Sequence, residues 1–572
     1  MVKKMRKIFC VMLTFALSLT YSYGKGTPKR PNSFNFNKGI ECIEQQDYKN
    51  AYDYFYNELK DNPKSGYAQY WLGYIRMLYS EYGRSLDAFS EAISLLPSKD
   101  TPYLQSAYSG RASVYLNLGD TAKALSDIST GIKLDPSNVV MYSDRAEIYF
   151  ELEKYSLADA EYQKIIKINP GSLTAYMGLG RNLKEQGKYE EAIKKFDYVV
   201  SLDPEYPDAY AFRADAYNEL KKYDEATTDV VTALKIQADQ RKALRLMLYF
   251  DKEPKELLLT KMKAQMIITP DTVTWPYYIG EVYESMDNYK DAIPYYDKAL
   301  SIEFVPSISR RLSYSYRQLG AYDDAMKYID LTIKLDSTEY DELTSKADIY
   351  ACKGDLKSAI SLMDEYVKKR PDYNFAYRKR GVFKMENKQF EDALEDFDMA
   401  ITLAPKVIQG YNCRARVYEK LGKKDKAEAD FKKIIELDPE YKKSYSTAFA
   451  LQFLGKTAEA EKAMNEYYQN LKMKEEKSFC YNMACLYSIM GKTKEAIDNL
   501  RKALELGWRD LYHLETDMDL DNIRALPEFK SLLQEYKGKL QEELKEIKNI
   551  KSNVNIEEKL KMKDVEMKNN EL

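Results

Sequence analysis

The feature that most constrains this chain is a recurring proline. Prolines at 63, 97, 136, 170, 204, 270, 371, 405 and 439 close successive units, and most neighbours among them stand 34 residues apart. The stretch from Leu173 to Pro204 shows what lies between two of them. Tyr176, Leu179, Gly180 and Leu183 fall at i, i+3, i+4 and i+7, which places them on one stripe of a helix. Gly187-Lys188 interrupts the pattern. Tyr189, Ala192, Ile193, Phe196, Val199 and Val200 then build a second stripe. Asp203-Pro204 ends it, because the residue before a proline avoids the helical region and proline has no amide hydrogen. Gly180 and Ala192 are small where the two backbones must approach. Such a hairpin cannot bury both faces by itself, so it must stack against others of its kind.

The others are present. Ile279, Gly280, Tyr283, Ala292, Tyr296 and Ala299 repeat the pattern, as do Gly381, Ala393, Phe397, Ala400 and Pro405, and Ala415, Tyr418, Gly422, Ala427, Phe431 and Pro439. In these positions the chain resembles the tetratricopeptide repeat family, whose unit is a 34-residue helix–turn–helix. The resemblance implies an all-α fold, a right-handed superhelix of about fourteen hairpins. It specifies an architecture and leaves the ligand open.

Read in order, residues 25–33 are a short linker and 34–238 hold six repeats. Five extra residues around Ser98 to Pro102 lengthen the connection to the third. Residues 239–272 keep helical periodicity but lose the small residues and contain Pro254, so they read as a degenerate repeat or a hinge. Residues 273–508 resume with repeats eight to fourteen. Residues 509–534 depart from the period and resemble the closing segment of bacterial arrays. There Leu511, Leu514, Leu520, Ile523, Leu526 and Phe529 are expected to cover the last hairpin, as terminal units must. Residues 535–572 form a Lys/Glu-rich tail, helical early and then disordered for lack of apolar surface to bury.

Composition narrows the function. Tyrosine is abundant at 51 residues, and a phenol can fill a helix interface while its hydroxyl stays at the edge. Residues 1–24 read as an export signal: Lys3, Lys4, Arg6 and Lys7 precede an apolar run from Ile8 to Leu19, with small residues near the expected cut. The alternative is an uncleaved membrane anchor. Removing those cations leaves a net charge of about −7, which argues against a nucleic-acid binder. The mature chain is expected to be exported, most plausibly to a periplasm. Five cysteines would remain: Cys42, Cys352, Cys413, Cys480 and Cys485. Cys480 and Cys485 point roughly 140° apart on one helix and cannot easily bond. All five read as small buried hydrophobes.

Chemistry is sparse. The single histidine, His513, has no evident nucleophile beside it. Gly178-Leu179-Gly180 lies inside a helix with no preceding strand, which excludes a phosphate loop. Glu190, Glu191, Lys194 and Lys195 read as salt-linked surface. Asp517, Asp519 and Asp521 lack the turn glycine and distal glutamate of a calcium loop. No zinc-ligand spacing exists, and no cofactor or metal is expected.

The resemblance implies that the first helix of each hairpin lines an inner groove through its second, fifth, ninth and twelfth positions. Carried onto this chain, the second repeat presents Tyr67, Tyr70, Tyr74 and Met77, with Phe36 added from the first. Such rings suit an extended peptide or a partner helix, or they pack between repeats. Asp144, Glu147, Asp208, Asp215, Glu281 and Glu284 make an acidic middle that Arg181 interrupts. Arg310, Arg317, Arg378 and Arg416 make a later basic section. No three successive repeats supply the Lys/Asn, Asn and Lys/Arg set with which family members hold chaperone C-termini. The expected function is a non-catalytic exported scaffold or adaptor that grips a protein or peptide partner. The alternatives are a periplasmic holding chaperone and, from another class, a hydrolase using His513.

Overall fold

The computed structural model describes residues 31–335, 341–471 and 476–550. Among these, every regular element is helical. From Phe34 to Glu505 the helices alternate as fourteen hairpins, the last made of Glu476–Ile489 and Thr493–Glu505. The expected export signal and the last charged residues lie outside the described residues. No described helix is long and apolar enough to cross a membrane.

The fifth hairpin shows how residues make the unit. The Ser172 hydroxyl accepts a hydrogen bond from the Ala175 amide and starts Leu173–Glu185. Gly187, at φ +76°, then turns the chain, and the amides of Gly187 and Lys188 donate back to the carbonyls of Lys184 and Leu183, each at 2.9 Å. Tyr189–Leu202 returns against the first helix. A Cβ on Gly180 would sit 2.4 Å from the Phe196 ring, and one on Gly178 would sit 2.2 Å from the Tyr162 ring of the preceding hairpin. The Gly-Leu-Gly run is therefore two ring seats, one within the hairpin and one between hairpins. At the equivalent turn, Gln46, Ser80, Glu153, Lys221, Asp287 and Lys388 adopt positive φ without being glycine.

In several hairpins an arginine on the first helix ties the hairpin to the one before. Arg213 donates through Nε and Nη2 to Asp229, both at 2.8 Å, and through Nη1 to Asp197 at 2.6 Å. Both acids are 16 residues away, Asp229 on the hairpin's own second helix and Asp197 on the preceding one. Arg380 and Arg414 repeat the arrangement with Asp396 and Asp364, and with Asp430 and Asp398. Arg111 shows the arrangement crossing an insertion. Its own acid, Asp127, is 16 residues on, but Ser90 of the preceding hairpin is 21 residues back. The five extra residues are taken up in the connection and in the long first helix Thr101–Asn117, and the contact survives.

The chain divides into two compact units at Leu258/Leu259. The division falls inside Lys252–Ile268, next to the short helix Arg241–Tyr249, in the stretch that lacks small residues. Pro254 sits in the first turn of its helix, where no amide hydrogen is needed. The first unit has a core of stacked apolar layers, with Phe55, Trp71 and Phe89 fully buried at one end.

The second unit closes on itself. Lys477 on hairpin 14 pairs with Asp287 in the turn of hairpin 8 at 2.5 Å. After Glu505 come Leu511–Thr516, the 3-10 turn Met518–Leu520, Asp521–Arg524 and the helix Pro527–Ile550. Leu514, Leu520, Ile523 and Phe529 are buried in one core with Tyr481, Cys485 and Leu500 of hairpin 14. Leu540, Leu544 and Ile547 repeat at helical spacing and join that core, which also holds Tyr289 and Leu300 of hairpin 8. Lys290 pairs with Glu546 at 2.6 Å and Arg509 with Glu543 at 2.8 Å. That apolar stripe makes the start of the Lys/Glu-rich tail a helix packed as far as Ile547.

The five cysteines are free thiols. Cys480 and Cys485 are buried, whereas Cys42, Cys352 and Cys413 are half-buried, so the expectation of five buried side chains is corrected for those three.

Candidate functional site

In the first unit, the rings expected along the inner face are covered. Phe36, Tyr67, Tyr70, Tyr74 and Met77 leave between 3% and 6% of their surface to solvent. The cause is the neighbouring first helices. Tyr103, on the lengthened helix of hairpin 3, packs edge-on to Tyr67 at 4.8 Å and to Tyr70 at 5.4 Å between centroids. Phe36 packs edge-on to Phe55 and Tyr67 from the other side. The Tyr67 hydroxyl donates to buried Asp100 at 2.8 Å. These rings pack between repeats.

The expected acidic middle is taken up residue by residue in internal contacts. Arg181 donates to Glu147 at 2.9 Å and lies over the rings of Phe150 and Phe212. Asp208 accepts from Gln240, and Asp215 pairs with both Lys242 and Lys184. In the second unit, Glu281 and Glu284 both pair with Arg311. Asp144 accepts from Ser109 at 3.0 Å, its other oxygen has no partner among the described residues, and burial pushes its carboxyl up to about 7. The acids are therefore internal partners and form no open anionic strip.

In the second unit the inner face is occupied. Residues 509–524 lie across the first helices of several hairpins. Arg416 pairs with Asp519 at 2.5 Å, and Lys420, one turn further on, pairs with Asp521 at 2.8 Å. Tyr512 donates to Glu386 at the end of hairpin 11's first helix. Asn522 donates to the Ser488 carbonyl at 2.8 Å. The Tyr481 hydroxyl donates to Asp517 at 2.8 Å, and its ring stacks on Trp508 at 4.1 Å. Arg524 donates to the carbonyls of Leu514, Glu515 and Asp517 and folds the segment on itself.

Three of the four expected arginines meet this region. Arg416 contacts the segment directly. Arg317 feels Asp510: burial works against its cation, and Asp348, Cys352 and Asp510 outweigh that and raise its pKa. Arg378 lies over the Phe375 ring; burial pushes the nearby Cys413 thiol up, Asp519 adds to the push, and Arg378 and Arg416 pull it back. Arg310 instead pairs with Glu342 within the array.

Burial pushes the Asp519 carboxyl up to about 6 against the pull of Arg416, with a further push from Asp517. Burial pushes Glu386 up to about 7, countered in part by Tyr512 and His513. His513 approaches Asp517 at 3.3 Å and stays half-exposed beside Tyr481 and Trp508. Sequence reasoning did not place a thiol here, yet Cys485 lies 3.5 Å from the same carboxylate. Burial and then Asp517 hold that thiol well above its ordinary pKa, the opposite of activation. Among the described residues no group of His, Cys, Asp and Glu is placed to hold a metal.

Family models described as tetratricopeptide repeat match residues 110–172, 183–247, 277–305, 408–441 and 478–506. The chain is similar to Hsp70-Hsp90 organizing protein 3 of Arabidopsis thaliana, 36% identical over 95 residues, which is 17% of each chain. It is similar to TPR repeat-containing protein YpiA of Bacillus subtilis, 24% identical over 241 residues, covering 40% of this chain and 54% of the relative. It therefore spans about a sixth of the first relative and about half of the second. A solved tetratricopeptide repeat protein from Parabacteroides merdae is 20% identical and covers 49% of this chain and 97% of its own, with a TM-score of 0.32.

Proposed function

We propose that this array of tetratricopeptide repeats is a non-catalytic scaffold that holds a segment of a partner protein on the inner face of its hairpins. The observation that carries the reading is that the inner face of the second unit already grips polypeptide. It holds residues 509–524 through Arg416–Asp519, Lys420–Asp521 and Tyr481–Asp517. Charge pairs and ring contacts of this kind give register and selectivity as well as affinity. A relative named for organising two chaperones supports a protein-binding role in general terms. The buried and unactivated Cys485, which shares the Asp517 carboxylate with His513, supports the non-catalytic part. Export rests on the basic and apolar run of residues 3–19, and N-terminal sequencing of the mature chain tests it.

The scaffold reading is tested by placing a photo-crosslinking residue at Phe150 in the first unit or at Lys420 in the second, in the full chain. Outward Lys194 serves as control. After irradiation in an envelope extract, a single stoichiometric adduct from an inner position is expected. Adducts no different from those of the Lys194 control would overturn the reading.

A further inference from the structure

The inner face of hairpins 11 to 14 is not fully satisfied by what lies on it. Arg378 Nε, Asn412 Oδ1, Gln452 Oε1 and Ser488 Oγ are buried and have no hydrogen-bond partner among the described residues. Each stands on a first helix beside a residue that meets the segment. Asn412 is one turn before Arg416, and Ser488 is one turn after Cys485. Gln452 adjoins Phe453, whose ring lies under the Arg416 guanidinium that holds Asp519. Arg378 shares the Cys413 surroundings with Arg416 and Asp519. Folded proteins leave few buried polar atoms unpaired, and each costs about 1–3 kcal/mol. Four stand on the face that residues 509–524 cover, and that segment leaves them unpaired.

What the face lacks defines what would suit it better. Arg378 offers a donor that needs an acceptor, and a carboxylate is the strong one. The Asn412 and Gln452 amides need donors of the kind an extended backbone presents. The occupying segment supplies acids at Asp517, Asp519 and Asp521.

We infer that residues 509–524 are an internal stand-in ligand, and that this face takes in their place an acidic, extended segment of another protein, with carboxylates two residues apart. This rests on the scaffold reading and names the partner's chemistry. The stand-in keeps the face closed until a segment that also reaches Arg378 and Asn412 displaces it.

The test uses the full chain and a fluorescent peptide identical to residues 509–524. In the wild type its own segment competes, so the peptide binds weakly. In Asp519→Arg/Asp521→Arg the internal segment meets like charge at Arg416 and Lys420 and is weakened, and the peptide is expected to bind at least about tenfold tighter, one tenfold step being 1.4 kcal/mol. A peptide with Asp519 and Asp521 changed to arginine should bind neither protein. Adding Arg416→Glu, or the exposed Lys420→Glu should Arg416→Glu fail to fold, should remove the gain. Hydrogen exchange of residues 511–524 is read in the same samples. Equal binding to both proteins overturns the inference. So does a released segment without peptide binding, and so does a segment that stays protected after the charge reversal. A crosslink at Phe150 alone would leave the scaffold reading intact while this inference fails.

Discussion

Arg416 and Asp519 are 103 residues apart in the chain and form an ion pair, with 13% and 16% of their side-chain surfaces left to solvent. The pair joins the first helix of hairpin 12 to a segment outside the repeats. Breaking a largely buried pair from one side costs about 3–5 kcal/mol, because it strands the other charge. Arg416→Glu should therefore detach residues 511–524, and Arg416→Glu/Asp519→Arg should restore much of the docking. Hydrogen exchange across that segment checks both. Equal protection in the single and double variants would show that the pair does not hold the segment.

Docking should loosen as pH rises. Burial raises Asp519 to about 6 and Glu386 to about 7 in the docked state. Arg416, His513, Asp517 and Asp521 face the first, and Tyr512, His513, Asp348 and Asp517 face the second. Both carboxyls take up protons on docking. Their favourable contribution is full below the ordinary carboxyl range and is lost as pH passes through about 6 to 7. Proteolysis within residues 509–524 should be slower at pH 5 than at pH 8 once the protease's own pH profile is divided out. Asp519→Asn should flatten the difference.

The two seats in the fifth hairpin should reject a methyl group. Gly178→Ala and Gly180→Ala each push a Cβ into a ring, and overpacking of this kind costs about 1–3 kcal/mol. The melting transition of the first unit should fall, and that of the second should stay. Gly83→Ala, where the new carbon meets nothing within 4 Å, is the control.

Tyr70→Ala should act as a core truncation. With 3% exposure and Tyr103 packed edge-on, its loss should cost about 3–5 kcal/mol by analogy with other buried aromatics. Calorimetry would show a lower first transition. An unchanged transition with weakened partner capture would instead make this ring part of the binding surface.

Lys388→Gly should stabilise the second unit. Lys388 holds φ +61° at the turn between the helices of hairpin 11, where a side chain costs about 1–2 kcal/mol. Gly422 fills the equivalent place one hairpin later. The midpoint of chemical denaturation should rise, and no change would mean that the strain is relieved elsewhere.

The period in the prolines and small residues was enough to read the array. A repeated Gly/aromatic spacing such as Gly180–Phe196 encodes a local fit, and local fits survive in a sequence. The route of residues 509–524 was not legible. Its contacts join positions about three repeats apart, and nothing in a 34-residue period says which hairpins a non-repeating segment will meet. The inward positions of Tyr67, Tyr70 and Tyr74 were legible, but their burial was not. That depends on how closely successive first helices stand, and here Tyr103 arrives on a helix lengthened by an insertion.

Arg111 reaching Ser90 across the five-residue insertion has a broader consequence. Neighbouring hairpins find each other by side-chain anchors and not by a fixed count of residues. The connectors are then the elastic part of the design: loops there can lengthen or shorten while the stack keeps its alignment. Growth of such a protein, by nature or by splicing in a tag, is best tolerated at those joints.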